Sequence, residues 1–136
     1  MNNNVPCILV VEDSRSDLEL TLRALRRCKV FSNITVARDG AEALDFIFRE
    51  GEFAGRSIEQ EPRIILLDLK LPLVDGMEVL RRVRSDPRTR SLPVVVVTAS
   101  NYEREVSEAH ELGVAGYITK PVDSGKLIEA MKVVGI

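Results

Sequence analysis

A chain of 136 residues, 45% of them apolar, is long enough to bury one sizeable core without disulfide or metal staples. Nineteen basic against twenty-one acidic residues leave a formal charge of -2, so bulk charge gives no argument for a nucleic-acid or membrane-surface partner. No apolar run reaches membrane-spanning length, and Met1 to Pro6 holds neither a basic cluster nor a long apolar core, so the expectation is one cytoplasmic domain over residues 1–136 with no second domain to carry an output.

Cys7 to Val11 is a short apolar run that reads as a strand and ends in the acid pair Glu12-Asp13. Ser14, with Asp17 three residues later, makes a capping box that opens a helix carrying Leu18, Leu22 and Leu25 on one stripe and ending near Lys29. Ile34 to Ala37 reads as a second strand, and Asp39-Gly40 turns the chain into a helix with Leu44, Ile47 and Phe48 on its apolar face. Glu50 to Pro62 mixes charge, two glycines and a proline without periodicity and reads as a long exposed connection. Ile64 to Leu67 is a buried strand that delivers Asp68 to a rim, followed by a helix capped by Asp75 and stopped at Asp86-Pro87. Four consecutive valines, Val94 to Val97, suit a sheet covered on both faces and end in Thr98. A fourth helix with Val106, Ala109 and Leu112 stops at Gly113, a fifth strand from Gly116 to Thr119 ends at Lys120-Pro121, and Asp123 caps a last helix.

Strands alternating with helices imply a parallel sheet, five-stranded and doubly wound, with helices on both faces. In such sheets ligands bind at the carboxyl ends of the strands, which is where Glu12, Asp13, Asp68, Thr98 and Lys120 all fall. Singly, each of them reads as a helix cap or a solvated strand end. Together they make a chemistry. Three carboxylates in one crevice repel each other and call for a counter-ion, and oxygen-only ligands fit Mg2+ or Mn2+ better than zinc. Lys120 and the Thr98 hydroxyl are phosphate-oxygen partners, and Asp68, on the most central strand, is the candidate nucleophile toward phosphorus. Cys7 and Cys28 lack a CxxC spacing and read as small hydrophobes, and His110 reads as a solvated helix residue.

The motifs VVEDS (Val10 to Ser14), ILLDLKLP (Ile65 to Pro72) with Asp75-Gly76, VVVTAS (Val95 to Ser100) and YITKP (Tyr117 to Pro121) occur in this order, and with them the chain resembles a response-regulator receiver domain of bacterial two-component signalling. That resemblance implies a flavodoxin-like α/β sheet in the order 2-1-3-4-5 and Asp68 as the site phosphorylated by a sensor histidine kinase. It also implies Mg2+ bound by Asp13, Asp68 and the Lys70 backbone carbonyl, with Glu12 acting mostly through a water. Thr98 and Lys120 would contact the phosphoryl group, Tyr117 would be the switch aromatic that follows Thr98, and the Lys120-Pro121 peptide would be cis. Lys70 and Ser100 stand where the family varies, and Lys70's ammonium is expected to lie over the site and alter attack by water. The long connection and the ITKPVD ending are similar to the stand-alone regulators that partner phytochrome kinases, so a phytochrome is the narrower expectation for the kinase. A homodimer is expected through the face made by the fourth helix, fifth strand and fifth helix.

The resemblance implies a phosphoacceptor switch rather than an enzyme. The alternatives are a phosphorylation-independent binding module and an aspartyl-phosphate phosphatase; the phosphatase would want an acid two residues after the nucleophile, where Lys70 stands.

Overall fold

The computed structural model describes residues 7–28, 33–57 and 61–135. Met1 to Pro6, the helix end expected near Lys29 and residues 58–60 of the long connection lie outside them. The order is β1 (Cys7–Val11), α1 (Arg15–Cys28), β2 (Asn33–Ala37), α2 (Gly40–Phe48), β3 (Ile64–Leu67), α3 (Gly76–Ser85), β4 (Val94–Thr98), α4 (Glu103–Glu111), β5 (Gly116–Thr119) and α5 (Ser124–Val133). All four strand pairings are parallel, and the sheet runs β2-β1-β3-β4-β5. No helix among the described residues is long and apolar enough to cross a membrane.

Side chains alternate across a strand, and that period divides the core into two layers. Leu9, Val11, Ile65, Leu67, Val94 and Val96 face a layer built from α2, α3 and α4, where Ala43, Ile47, Leu80, Val83 and Ala109 are buried. Ile8, Val10, Ile64, Leu66, Val95 and Val97 face the opposite layer, filled by Leu18 and Leu25 of α1 and by Leu127, Ala130 and Met131 of α5. Burial on both faces is why these strands read as unbroken apolar runs. It also makes strand register strict, since a one-residue slip would exchange the two layers.

The helix starts follow the sequence. Asp39, Asp75 and Asp123 each accept a hydrogen bond from the backbone N–H three residues on, at Glu42, Glu78 and Lys126. Gly113 has the expected left-handed backbone, at φ 69°. Ser14 Oγ accepts from Asp17 N at 3.3 Å, but the Asp17 carboxylate does not close the box; it points to Lys120, 2.9 Å away.

The connection after α2 is not the wholly exposed loop that its composition suggests. A single 3-10 turn, Gly51–Phe53, sets Phe53 edge-on against Phe46 with ring centroids 5.1 Å apart. Arg56 is then buried, at 8% exposure. Its guanidinium donates to the carbonyls of Phe46 (2.8 Å), Ile47 (3.2 Å) and Ser57 (3.3 Å) and lies 4.8 Å from the Phe46 ring centroid. The last carbonyls of a helix have no partner within it, so Arg56 supplies one for α2. Burial tends to lower the pKa of this guanidinium, and the nearby Arg49 acts in the same direction.

Two glycines fix the loop between β3 and α3. A Cβ on Gly76 would stand 2.0 Å from the carbonyl oxygen of Asp68, and one on Gly40 would stand 1.7 Å from that of Val74. Backbone therefore meets backbone on both sides of residues 68–76. Within this loop Leu73 adopts φ 67° and is 81% exposed.

Candidate phosphoacceptor site

Backbone hydrogen bonds carry the sheet ladder one residue past the strands and place the rim side chains. Asp68 N donates to Val11 O (3.1 Å), Glu12 N to Ala37 O (3.0 Å), and Lys120 N to Thr98 O (2.8 Å). The strand parity continues with them: Glu12, Asp68 and Lys120 follow Val10, Leu66 and Ile118, which all face the layer of α1 and α5. These three side chains accordingly meet on the α1 side of the rim, where the first turn of α1 carries Asp17.

The meeting point is the Lys120 ammonium. It lies 2.8 Å from Glu12 Oε1, 2.9 Å from Asp17 Oδ2 and 3.1 Å from Asp68 Oδ2. Glu12 and Asp68 are buried, at 3% and 6% exposure, and the Lys120 side chain is 12% exposed. The remaining carboxylate oxygens are also occupied: Ser14 N donates to Glu12 Oε2 at 3.1 Å and Lys70 N to Asp68 Oδ1 at 3.2 Å. Burial acts to lower the Lys120 pKa, but bonds to Glu12 and Asp17 and the charge of Asp68 outweigh it and the ammonium titrates above its ordinary range. Burial raises Glu12 to about 7; Lys120 pulls it down and the neighbouring Asp68 pushes it up.

Thr98 is fully buried at the end of β4, and its hydroxyl accepts from Ser100 N at 3.3 Å. Tyr117 is half-buried against the α2, α3 and α4 layer, and its hydroxyl donates to Ser100 O at 2.9 Å. The Lys120-Pro121 peptide is cis. His110 is exposed, and Cys7 is buried among strand residues.

One expectation is corrected by this geometry. Lys70's ammonium turns to α4 and pairs with Glu105 at 3.4 Å, with its side chain largely exposed, so it does not bond the Asp68 carboxylate. Glu105 also accepts from the Ser100 hydroxyl, and that acid is what draws the lysine away. As the side chains stand, Glu12, Asp13, Asp68 and the Lys70 carbonyl, the set expected to hold a metal, do not close on one point, and no group of three His, Cys, Asp or Glu among the described residues does so. Asp13 is exposed, and the Lys120 ammonium is bonded to both Glu12 and Asp68. The donors themselves are hard oxygens suited to Mg2+ or Mn2+. Asp17 is the member of the arrangement that the sequence reading assigned to capping alone.

The model of the response regulator receiver domain matches residues 8–132 of this chain. Response regulator Rcp1 of Synechocystis sp. is 38% identical over 119 residues, covering 88% of this chain and 79% of Rcp1. The Mn2+-bound structure of Rcp1 superposes with a TM-score of 0.79 at 36% identity, covering 95% and 88% of the two chains. The bacteriophytochrome response regulator RtBRR is similar at a TM-score of 0.88 and 50% identity, covering 97% of this chain and 79% of its own. The phosphorylated cyanobacterial phytochrome response regulator RcpA reaches a TM-score of 0.78 at 38% identity, covering 96% and 89%. With this fold, these rim residues and this match across nearly its whole length, the chain belongs to the response-regulator receiver-domain family, the phosphoacceptors of two-component signalling.

Proposed function

We propose that Asp68 is the phosphoacceptor of this receiver, and that the chain works as a single receiver domain, a cytoplasmic signalling protein rather than an enzyme acting on other substrates. The observation that carries the reading is the bond between Asp68 Oδ2 and Lys120 Nζ at 3.1 Å, made inside a buried rim whose backbone is fixed by the sheet ladder. Phosphoryl transfer asks mainly for positioning and for charge stabilisation. An Asp68 oxygen forms its bond to phosphorus as the donor's bond to phosphorus breaks. The Lys120 ammonium moves from that carboxylate to the incoming phosphoryl oxygens, and the Thr98 hydroxyl, which accepts from Ser100 N, donates its own O–H to another of them.

Glu12, Asp13, Asp68 and the Lys70 carbonyl would hold the divalent cation, with Glu12 reaching it through water. Bound there, Mg2+ or Mn2+ offsets the charge of the acids and of the phosphoryl oxygens. Because the ammonium and a cation would draw on the same carboxylates, Lys120 would loosen its hold on Glu12 and Asp68 with the cation bound. Tyr117, tied to the β4–α4 loop through Ser100 O, is the switch aromatic that passes a Thr98 movement to the face of α4, β5 and α5. Exposed Tyr102 before α4 and Val133 at the end of α5 support that face as a homodimer surface. The names of RtBRR and RcpA support a sensor histidine kinase of the phytochrome type as the donor.

The test is intact mass spectrometry after incubation with acetyl phosphate. A single phosphoryl mass gain that needs Mg2+ and is absent in Asp68→Asn is expected. No gain under any condition would favour a phosphorylation-independent binding module, and rapid turnover of the donor and of unrelated phosphoesters would favour a phosphatase.

A further inference from the structure

We infer that Asp17 is a positioning residue for the phosphoryl-transfer site: it holds Lys120 on the α1 side of the rim, so that the ammonium can give up Glu12 and Asp68 to the cation. This rests on the phosphoacceptor reading above and extends it to a residue outside the family motif set.

An ammonium has three N–H donors. Here all three are engaged by three carboxylates, from Glu12, Asp17 and Asp68, at 2.8, 2.9 and 3.1 Å. Two of those acids belong to the proposed cation site and the third does not. Asp17 stands in the first turn of α1, its backbone N–H bonded to Ser14 Oγ and its side chain 37% exposed, whereas Glu12 and Asp68 end β1 and β3. When the cation takes Glu12 and Asp68, Lys120 loses two of its three partners. Asp17 remains. It keeps the ammonium beside Asp68, where a phosphoryl oxygen can replace the lost carboxylates.

Without Asp17 the ammonium would settle more fully on Glu12 and Asp68 and compete with the cation. Loss of a nearby negative charge would also weaken cation binding, but that effect does not pass through Lys120. The two are separable by a double-mutant cycle.

Isothermal titration of Mg2+ into the cation-free protein reads the difference. Asp17→Asn is expected to weaken Mg2+ binding about fivefold, the scale of one partly exposed ion pair. Asp17→Glu, which keeps the carboxylate, should recover part of the loss. In a Lys120→Gln background the same Asp17→Asn change should alter the affinity less than about twofold. An equal loss in both backgrounds would mean that Asp17 acts by charge alone and would overturn the inference. So would unchanged affinity in Asp17→Asn while the parent protein binds Mg2+ and is phosphorylated on Asp68; there the functional reading stands and the Asp17 role falls. A parent protein that binds no Mg2+ would overturn both.

Discussion

Replacing Gly76 with alanine tests how tightly the phosphoacceptor loop is fixed. The added Cβ would stand 2.0 Å from Asp68 O, 2.6 Å from Leu69 Cα and 2.9 Å from Asp68 C, all backbone atoms that cannot rotate away. Ordinary contact begins near 3.4 Å, so the start of α3 and the end of β3 would have to part by about 1.4 Å. That separation breaks the bond from Gly76 N to Leu69 O at 2.9 Å. Overpacking costs about 1–3 kcal/mol and the lost hydrogen bond about 1 kcal/mol, against a helix-propensity gain of at most about 1 kcal/mol. With the propensity gain counted in full, the net expectation is a loss of about 1–3 kcal/mol. Unfolding entropy of about 2.1 cal/mol/K per residue over a chain of 136 residues turns this into a fall in Tm of about 4–10 °C. Differential scanning calorimetry reads it directly. Gly55→Ala is the control, since nothing lies within 4 Å of a Cβ there, and it should leave Tm unchanged or raise it slightly. A Gly76→Ala protein as stable as the parent would refute the close backbone approach that positions Asp68.

Arg56→Met should destabilise the protein by about 2 kcal/mol in urea unfolding, because it leaves the Phe46 and Ile47 carbonyls without their buried donor; no change would mean that the connection after α2 carries no stability. Lys70→Ala should alter stability by less than about 0.5 kcal/mol, the worth of an exposed ion pair, and leave the rate at which phosphoryl is lost unchanged, because Glu105 holds the ammonium on α4; a changed rate in a phosphate-release assay would contradict that placement. Glu12 gives a pH signature in the presence of a chelator. Its folded pKa of about 7 lies above its ordinary 4.5, so between those values the native state binds more protons than the unfolded chain. The contribution of this group to stability is thus full below its ordinary pKa and is lost as pH rises through about 7. Glu12→Gln should flatten the fall in urea midpoint over that window, and a parent protein with no such fall relative to Glu12→Gln would contradict the burial of this acid.

The fold was legible because its signals are local and repeated. Val94 to Val97 can serve only a doubly covered strand, and Asp39, Asp75 and Asp123 announce helices with their own caps. Strand ends then gave Glu12, Asp68, Thr98 and Lys120. What composition concealed was partnership. Arg56 sits in a polar stretch, and nothing in the sequence says that α2's carbonyls ten residues back will bury it. Lys70 was expected over the site, yet Glu105, far along the chain on α4, captures its ammonium. Asp17 fits a capping box perfectly well as sequence. The clue was strand parity: residues 12, 68 and 120 all continue the side of the sheet that α1 covers, so an acid in the first turn of α1 was already within reach of Lys120.

The identity of the modified side chain is the sharpest test. Protein phosphorylated by acetyl phosphate and then reduced with borohydride converts an aspartyl phosphate to homoserine, which peptide sequencing by mass spectrometry locates. Homoserine at position 68 alone, formed only with Mg2+ present, is the result required if Lys120, Glu12 and Asp68 make one phosphoryl-transfer site. Homoserine at another acid, or a phosphoryl group that resists borohydride, would contradict it.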